Sequence, residues 1–309
     1  MTRVEVASGP DAGMDWHFGD PLGEQRALER GAAAVRLTSR QVFTVTGASR
    51  LEWLHSLTTQ EIEALTPGQG ADTLVLSPTG QIEHGFTVAD DGASAWCWTE
   101  PGTRDALVGW LESMKFWTEV DLVARDDVTL WWLGHQVPVP EDALAWRGAQ
   151  FADGHEVLLP ADAVVNAEQA GQWAHDALRI AAGVPRIGLD TDHRTLPNEI
   201  GLFATALEKG CYRGQETVAR VHNLGRPPRR LVRLLFDGDL PATGTELLNG
   251  GRAVGTLGST AQHHEMGPIG LALIKRSVPV DAVLQAGDIA ASQDVLVDPE
   301  VGVHFRPKL

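Results

Sequence analysis

Lys209-Gly-Cys-Tyr-Arg-Gly-Gln-Glu216 is the stretch of this 309-residue chain that says most about its fold and its chemistry. Glycines on both sides of Cys211 indicate a backbone that needs unusual torsion angles or comes close to another group. Lys209 and Arg213 stand two residues before and after the cysteine, and cations near a thiol favour the thiolate, which attacks electrophiles and binds metals. Taken alone, the stretch is compatible with a functional thiol at Cys211 with Lys209 beside it, but it does not decide for that interpretation. These residues leave one alternative open, a buried cysteine that packs as a small apolar side chain.

The segment around this stretch is basic, although the chain as a whole is acidic, with a formal net charge of −16. Seven cations and a single acid lie between positions 209 and 233: Lys209, Arg213, Arg220, Arg226, Arg229, Arg230 and Arg233 against Glu216. One interpretation is a site for a small anionic ligand, since the planar fork of arginine suits carboxylates. The other interpretation, equally open, is a linker whose arginines pair with acids elsewhere in the chain.

The composition bounds the class of protein. A hydrophobic fraction of 43% and a charged fraction of 21% are typical of a globular chain, here long enough for two or three domains. The two cysteines, Cys97 and Cys211, are too few for a disulfide framework and form no paired zinc or cluster motif. We therefore expect a reducing cytoplasm and predict no metal site.

Membrane and nucleic-acid functions are not expected. The sequence contains no run of about 18 apolar residues that predicts a membrane span, and its first ten residues do not resemble a signal peptide. The strong negative charge disfavours direct binding of nucleic acid, because such binding depends on neutralising phosphates.

Helices and strands are mixed in the first 180 residues. Helices are predicted over 21–31, from a Ser49–Glu52 capping box to Leu57, from Thr103 to Met114, and over 161–170 and 172–182. Alternating apolar residues predict strands at 42–46, 72–76, 81–88, 95–98, 118–124, 129–134 and 157–159. This order is not the strict alternation of a doubly wound sheet, so we expect an α+β fold.

The rest of the chain predicts a small antiparallel β-barrel or sandwich. Short alternating runs separated by glycine- and proline-bearing turns lie at 231–236, 245–248, 253–259, 269–274 and 288–296. Residues 223–230 contain two prolines and form the natural hinge before it. The predicted domains are residues 1–115, residues 116–225 with the Cys211 stretch, and residues 226–309.

Residues 209–216 closely resemble the signature Lys-Gly-Cys-Tyr/Phe-x-Gly-Gln-Glu of the YgfZ family of folate-binding proteins. That family is related to the T-protein, the aminomethyltransferase of the glycine cleavage system. The signature leaves one position free and is therefore specific, and its structural context is what tests it. Further similarity to the superfamily extends over most of the chain, at residues 42–60, 74–82, 179–190 and 197–201.

The resemblance implies a ring of three domains, two mixed α/β domains and a C-terminal antiparallel β-barrel, around a folate pocket. The implied cofactor is tetrahydrofolate or a derivative. The folate-binding candidates that match by motif are Glu199, Tyr212, Arg213, Gln215, Glu216 and Arg226. The chemistry agrees, because a pterin offers N–H donors to a carboxylate, a flat face for stacking and a glutamate tail for arginines.

One departure from the superfamily affects the expected activity. The glycine-cleavage enzymes carry an Asp-Asp pair in the hairpin near residue 83, and this chain has Glu83-His84 instead. A shifted carboxylate or an imidazole would not reproduce the same geometry, since proton transfer requires placement within hydrogen-bond reach. The departure argues against a working aminomethyltransferase without excluding folate binding.

Three functions are therefore in view, in this order of preference. The first is a folate-dependent accessory protein for iron–sulfur cluster assembly or repair that uses Cys211 and has iron–sulfur client or assembly proteins as partners. One thiol cannot hold a cluster alone, so any contact with a metal would be transient or shared with the partner. The second is an aminomethyltransferase with Glu83 or His84 as base. The third is a folate-binding scaffold without chemistry, and any effect on tRNA modification is expected to be indirect.

Overall fold

Two compact units make up the part of the chain that the computed structural model describes, residues 2–223 and 225–300. The first unit comprises the described residues of Met1–Val75 and His84–His175, and the second those of Leu76–Glu83 and Asp176–Leu309. Leu224, within the predicted hinge, and the last nine residues of the predicted third domain lie outside the described residues. The domain boundaries at 115 and 225 stay predictions.

Two five-stranded sheets dominate the first unit. Its elements are β1 (Val4–Glu5), β2 (Asp15–His17), α1 (Pro21–Glu29), β3 (Ala33–Leu37), β4 (Gln41–Thr46), α2 (Arg50–Leu57), β5 (Gly70–Leu76), β6 (Ile82–Asp90), β7 (Ser94–Thr99), α3 (Arg104–Ser113), β8 (Asp121–Ala124), β9 (Val128–Leu133), β10 (Ala145–Gly148), β11 (His155–Pro160), β12 (Glu168–Gln169) and the first turn of α4 (Gln172–Ala181). One sheet has the order β5-β6-β7-β4-β8 and the other β10-β11-β9-β3-β12, and β1 pairs with β2. The predicted α+β class is confirmed.

The first sheet packs against helices α2 and α3. Phe43 and Cys97 on neighbouring strands share one buried cluster with Leu54 of α2 and with Leu107 and Leu111 of α3. Burial raises the pKa of the Cys97 thiol well above its ordinary value. Cys97 is thus a core residue, as its apolar surroundings in the sequence predict.

The predicted helix at 161–170 is wrong. Ala163, Val165 and Ala167 pack against the core cluster of the second sheet, and alternate positions share a face only in extended chain. The segment then enters β12, which pairs in parallel with β3. Alanine-rich composition favours a helix locally, but burial of the alternating apolar residues against the sheet decides the conformation here. Strands β3 and β10 were not predicted.

The capping box predicted at α2 does not form. Ser49 is the N-cap residue, but its side chain makes no capping hydrogen bond in the structure. Instead, the side chain of Arg50 at the first helical position forms two hydrogen bonds of 2.8 Å with the buried carboxylate of Asp90. This bidentate contact ties the start of the helix to the end of β6.

A closed barrel occupies the second unit. Its elements are a short 3-10 helix (Pro197–Ile200), α5 (Gln215–Asn223), β13 (Arg229–Asp237), β14 (Glu246–Asn249), β15 (Arg252–His263), β16 (Gly267–Lys275), β17 (Leu284–Ala286) and β18 (Ile289–Val295). The strands close in the order β13-β16-β15-β14-β17-β18, all antiparallel. Alternate residues of β13, namely Val232, Leu234 and Phe236, fill the interior. The predicted barrel is confirmed, and only the three-residue β17 was missed.

No helix among the described residues combines the length and apolar character that crossing a bilayer requires.

Candidate functional site

The Cys211 stretch forms the turn that leads into α5. Gln215 begins the helix; its backbone N–H donates to the carbonyl of Tyr212 over 3.2 Å, and its side-chain amide donates to the carbonyl of Lys209 over 3.3 Å. Lys209 and Tyr212 are buried, whereas Cys211 is exposed. The turn therefore anchors its flanking side chains inside the fold and presents the thiol to solvent, as a reactive or ligating role requires.

Gly214 is where this turn meets the tip of the β5–β6 hairpin. Its φ is +81°, a torsion that favours glycine, and a Cβ there would lie 2.6 Å from the carbonyl oxygen of Ser77. Gly80, with φ of +88°, mirrors the arrangement, since a Cβ on it would lie 2.8 Å from Cβ of Thr217. The second glycine of the signature thus permits a direct backbone contact between the hairpin and the start of α5.

We expect Gly214→Ala to lower the free energy of unfolding by about 2–3 kcal/mol, because the methyl group meets backbone and the left-handed torsion disfavours alanine. Urea unfolding followed by far-UV circular dichroism measures the change. Gly210→Ala is the matched control, since a Cβ at Gly210 meets no heavy atom within 4 Å. Equal stabilities of the two variants would contradict the close approach.

The two cations that flank Cys211 have partners of their own. The ammonium of Lys209 lies 5.6 Å from the centroid of the Tyr212 ring, within the range of a cation–π contact. The guanidinium of Arg213 lies 3.1 Å from the carboxylate of Glu83 on the hairpin, and each side chain is 36% exposed. Both cations thus bind within the second unit, and the predicted roles of Lys209 and Cys211 in chemistry stay predictions.

Glu83 and His84, the residues in place of the Asp-Asp pair, differ in their surroundings. Glu83 is engaged by Arg213, whereas His84 is half-buried, with its ring centroid 6.5 Å from that of Trp110 on α3. Successive residues of a strand point to opposite faces, so the two side chains do not share one environment.

The hydroxyl of Tyr212 is an unusual group within the turn. It is buried and has no hydrogen-bond partner among the described residues, and desolvation raises its pKa above the ordinary value. A buried polar atom that makes no hydrogen bond costs free energy, about 1–3 kcal/mol. A ligand that supplied a partner for this hydroxyl would recover that cost.

Glu199 is fully buried in the short 3-10 helix, and its carboxylate is satisfied from within the chain. One oxygen accepts the backbone N–H and Nε–H of Arg229 over 3.1 and 2.9 Å; the other accepts Nη2 of Arg229 and the backbone N–H of Leu196, each over 2.9 Å. A carboxylate offers about four lone pairs, and all are used here. The structure therefore places Glu199 in an ion pair with the first barrel strand, and its predicted contact with folate stays a prediction.

Asp192 completes this ion-pair network. The terminal nitrogens of Arg229 donate to its two oxygens over 2.7 and 3.0 Å, a bidentate pair. The hydrogen bonds from Arg229 hold the pKa of Asp192 far below its ordinary value, although burial acts in the opposite direction. Because the folded-state pKa is depressed, Asp192 contributes stability that is present above the unfolded-state pKa of about 3.9 and is lost as the pH falls toward the folded-state value.

We expect Asp192→Asn to destabilise the protein most at neutral pH, with the difference from wild type shrinking below about pH 4 as the unfolded wild-type chain takes up a proton at this position. Urea unfolding between pH 7 and pH 3 measures the difference. Asp237→Asn is the control, because it removes a carboxylate at the exposed end of the same barrel strand that lies outside this ion-pair network. A difference that stays constant over this range would contradict the assignment.

The remaining candidates from the sequence lie at separate places. Glu216 is exposed on α5, and Arg226 forms an exposed ion pair with Glu300 over 2.9 Å. Further along the basic segment, Arg233 pairs with Asp294 over 2.7 Å. The interpretation that these arginines pair with acids elsewhere is therefore confirmed for Arg213, Arg226, Arg229 and Arg233.

The structural role of Asp190 and the cleft beside it were not predicted from the sequence. The buried carboxylate of Asp190 accepts the backbone N–H of Ser259 on β15 over 2.6 Å, and Gly258 leaves room for it, since a Cβ there would lie 2.3 Å from the carboxylate oxygen. The adjoining cleft has a volume of about 390 Å³. It is lined by residues 189–192 and by barrel residues that include Glu246 and Lys275. The two aspartates at 190 and 192 were the signal that the sequence offered.

Comparison with known proteins agrees with the fold described above. The family model described as CAF17, C-terminal beta-barrel domain, matches residues 229–297, the barrel itself. Aminomethyltransferases of Bordetella petrii and Chromobacterium violaceum are 27% and 25% identical in alignments of 231 and 226 positions, which cover 62% and 61% of this chain. The chain spans 63% and 62% of the length of these two relatives.

Similarity also extends over most of the chain. A chloroplastic protein of Arabidopsis thaliana, described as a transferase, is 26% identical in an alignment of 294 positions that covers 81% of this chain and 67% of the relative. In structure, the glycine cleavage system aminomethyltransferase T from Bartonella henselae superposes with a TM-score of 0.77 at 19% identity, covering 96% of this chain and 94% of that one. The fold is thus that of the aminomethyltransferases, and the comparisons support a relationship to the superfamily that unites them with CAF17-type proteins.

Proposed function

We propose that this chain is a cytoplasmic, folate-binding accessory protein of the YgfZ type that serves iron–sulfur proteins through Cys211. The observation that carries the proposal is the exposed thiol on a turn that a backbone contact between Gly214 and the hairpin holds in place. The fold shared with aminomethyltransferases, and their use of tetrahydrofolate, support the folate part. The iron–sulfur part rests on the resemblance of residues 209–216 to the YgfZ signature.

The residues of the second unit fit a folate in part. Tyr212 offers a buried hydroxyl that lacks a partner among the described residues, and Arg213 offers a partly exposed guanidinium that could exchange Glu83 for a ligand carboxylate. Glu199 could accept a pterin N–H only if Arg229 released it. When bound, tetrahydrofolate would supply a carrier for one-carbon units, and Tyr212 and Arg213 would orient it.

Tyr212→Phe tests this assignment of the hydroxyl. Without ligand, we expect the variant to be as stable as wild type or slightly more stable, because it removes an unsatisfied buried group. With tetrahydrofolate, we expect its Kd to rise by about five- to tenfold, the loss of one hydrogen bond of about 1–1.5 kcal/mol. Titration followed by tryptophan fluorescence measures the Kd, and thermal unfolding without ligand provides the stability. An unchanged Kd would remove Tyr212 from the folate site.

The thiol of Cys211 would act with a client protein. A single thiolate supplies one of the several ligands that an iron–sulfur cluster needs, so Cys211 would share a metal contact with cysteines of the client or react transiently with it. An exposed position on a fixed turn suits such a contact, because the partner can approach the sulfur without unfolding the chain.

We expect Cys211→Ala, in a strain that lacks the wild-type protein, to leave iron–sulfur enzyme activities as low as the empty strain does. Cys97→Ala is the matched control, since Cys97 is buried in the sheet core and should restore the activities if the variant folds. Enzyme activities normalised to protein abundance measure the outcome. Full restoration by Cys211→Ala would refute the proposed role of the thiol.

A second candidate function is a one-carbon transferase. It is favoured by the bacterial relatives, which are named aminomethyltransferases. The ion pair of Glu83 with Arg213 weighs against Glu83 as a base, because the carboxylate already has a cationic partner. Purified protein with tetrahydrofolate and an aminomethyl donor decides between the two. Turnover that is lost in Glu83→Gln or His84→Asn would favour the transferase over the accessory protein.

A further inference from the structure

Two adjacent aromatic side chains project into solvent from the turn after α3. Phe116 is 80% exposed and Trp117 is 97% exposed, whereas aromatic side chains of this size normally bury most of their surface. We call residues Lys115–Thr118 the aromatic turn. Neighbouring exposed apolar residues mark binding surfaces more often than single ones do, so this pair requires an explanation.

Hydrogen bonds and packing hold the aromatic turn in a defined conformation. The backbone N–H of Thr118 donates to the carbonyl of Lys115 over 2.7 Å and closes the turn. At its base, the indole N–H of Trp53 donates to the carbonyl of Met114 over 3.3 Å, and Met114 packs against the buried cluster of the first sheet. Phe116 has a φ of +45°, a left-handed torsion that is costly for a bulky residue. The fold thus holds both aromatics outward at a conformational cost.

The surface around the aromatic turn is negative. Residues 112–127 contain five acids and two bases: Glu112, Glu119, Asp121, Asp126 and Asp127 against Lys115 and Arg125. Three of these acids are paired: Glu112 with Lys115 over 3.3 Å, Asp127 with Arg125 over 2.8 Å, and Asp126 with Arg104 over 2.5 Å. Among the described residues, the exposed Glu119 and Asp121 form no ion pair, and we call these two acids, which directly follow the turn, its acidic rim.

An edge strand continues the surface. The turn leads directly into β8, which pairs with β4 on one side and with no described strand on the other. Val123 on this strand is 51% exposed. An unpaired strand edge offers backbone donors and acceptors to a partner in addition to the apolar contacts.

The negative charge of this surface indicates which class of molecule it can bind. Anionic lipid and nucleic acid both repel an acidic rim, although each can accept an aromatic side chain. A second copy of this chain would bring two acidic rims together across a two-fold axis. A protein whose apolar pocket is bordered by lysines and arginines would gain from both the aromatics and the rim.

We propose that the aromatic turn and β8 form a docking surface for a partner protein that presents an apolar pocket with a basic border. Phe116 and Trp117 are the anchors that enter the pocket, and Glu119 and Asp121 align the partner. This proposal does not depend on folate binding or on Cys211.

Photo-crosslinking followed by titration tests the proposal. A benzoylphenylalanine at position 117, installed in the full chain in its own cells, identifies the partner by mass spectrometry of the adduct. That partner is then purified and titrated by calorimetry. We expect Phe116→Ser and Trp117→Ser each to raise the Kd at least about tenfold, as anchor residues do. The Kd should also rise between about 50 and 300 mM salt, and when the basic border of the partner is reversed to glutamate.

Val164→Ser is the matched control, because Val164 lies in the same unit and is an isolated apolar residue that is 91% exposed. It should leave the Kd unchanged, and thermal unfolding should show that all three variants are folded. Several outcomes would overturn the proposal: an adduct only with a second copy of the chain, no adduct above that from position 164, or a partner that binds Trp117→Ser as tightly as wild type. Binding to phosphatidylcholine–phosphatidylglycerol vesicles or to single-stranded RNA that is lost in Trp117→Ser, without a protein adduct, would overturn it as well.

Discussion

The ion pair between Glu199 and Arg229 is the interaction on which the second unit depends. A fully buried carboxylate is stable only when hydrogen bonds replace its lost hydration, and here one guanidinium and two backbone N–H groups supply them all. The same 3-10 helix holds α5 through Asn198, whose amide donates to the carbonyl of Val218 over 3.2 Å. The first barrel strand and the helix that follows Cys211 are therefore fixed by neighbouring residues of one short segment.

The hairpin tip adds a second constraint on the same region. The backbone N–H of Ile82 donates to the carbonyl of Thr195 over 2.9 Å, just before the 3-10 helix. Gly80 and Gly214 allow backbones to touch at the other side of the tip. Close packing around Gly214 thus fixes the orientation of the Cys211 turn. Because this packing leaves no room for a side chain, it gives a physical reason for glycine at position 214 of the signature.

Much of the fold could be predicted because period-two and helical patterns are local properties. The barrel strands alternate as expected, and α1, α3 and α4 begin or end within one or two residues of the predicted bounds. The segment 161–170 failed because its alanines suit a helix locally, and only contact with the sheet makes it extended. Short strands such as β17, with three residues, carry too little pattern to detect.

The site was harder to predict, because its charges are paired over long sequence separations. The sequence could indicate Cys211 and its glycines, but it could not show that Arg213 meets Glu83 or that Glu199 meets Arg229. Both pairings change what the residues can do. Arginines that are already matched to acids offer little net positive field to an anion, so the basic segment is far less basic as a surface than as a sequence.

The pairing of charges inside the protein also affects the electrostatic character of its surface. Many of the chain's 25 lysines and arginines are engaged by carboxylates, and with 41 acids the excess negative charge must lie on exposed positions. The surface of this chain therefore presents a negative electrostatic field to other molecules, because many of its cations are already paired with acids. Recognition of an anionic ligand then has to occur where a cation can leave its internal partner, as the partly exposed Arg213 of the Cys211 turn could leave Glu83 of the hairpin. Recognition of another protein is favoured where exposed acids accompany an apolar anchor, as Glu119 and Asp121 follow the exposed Trp117 in the chain.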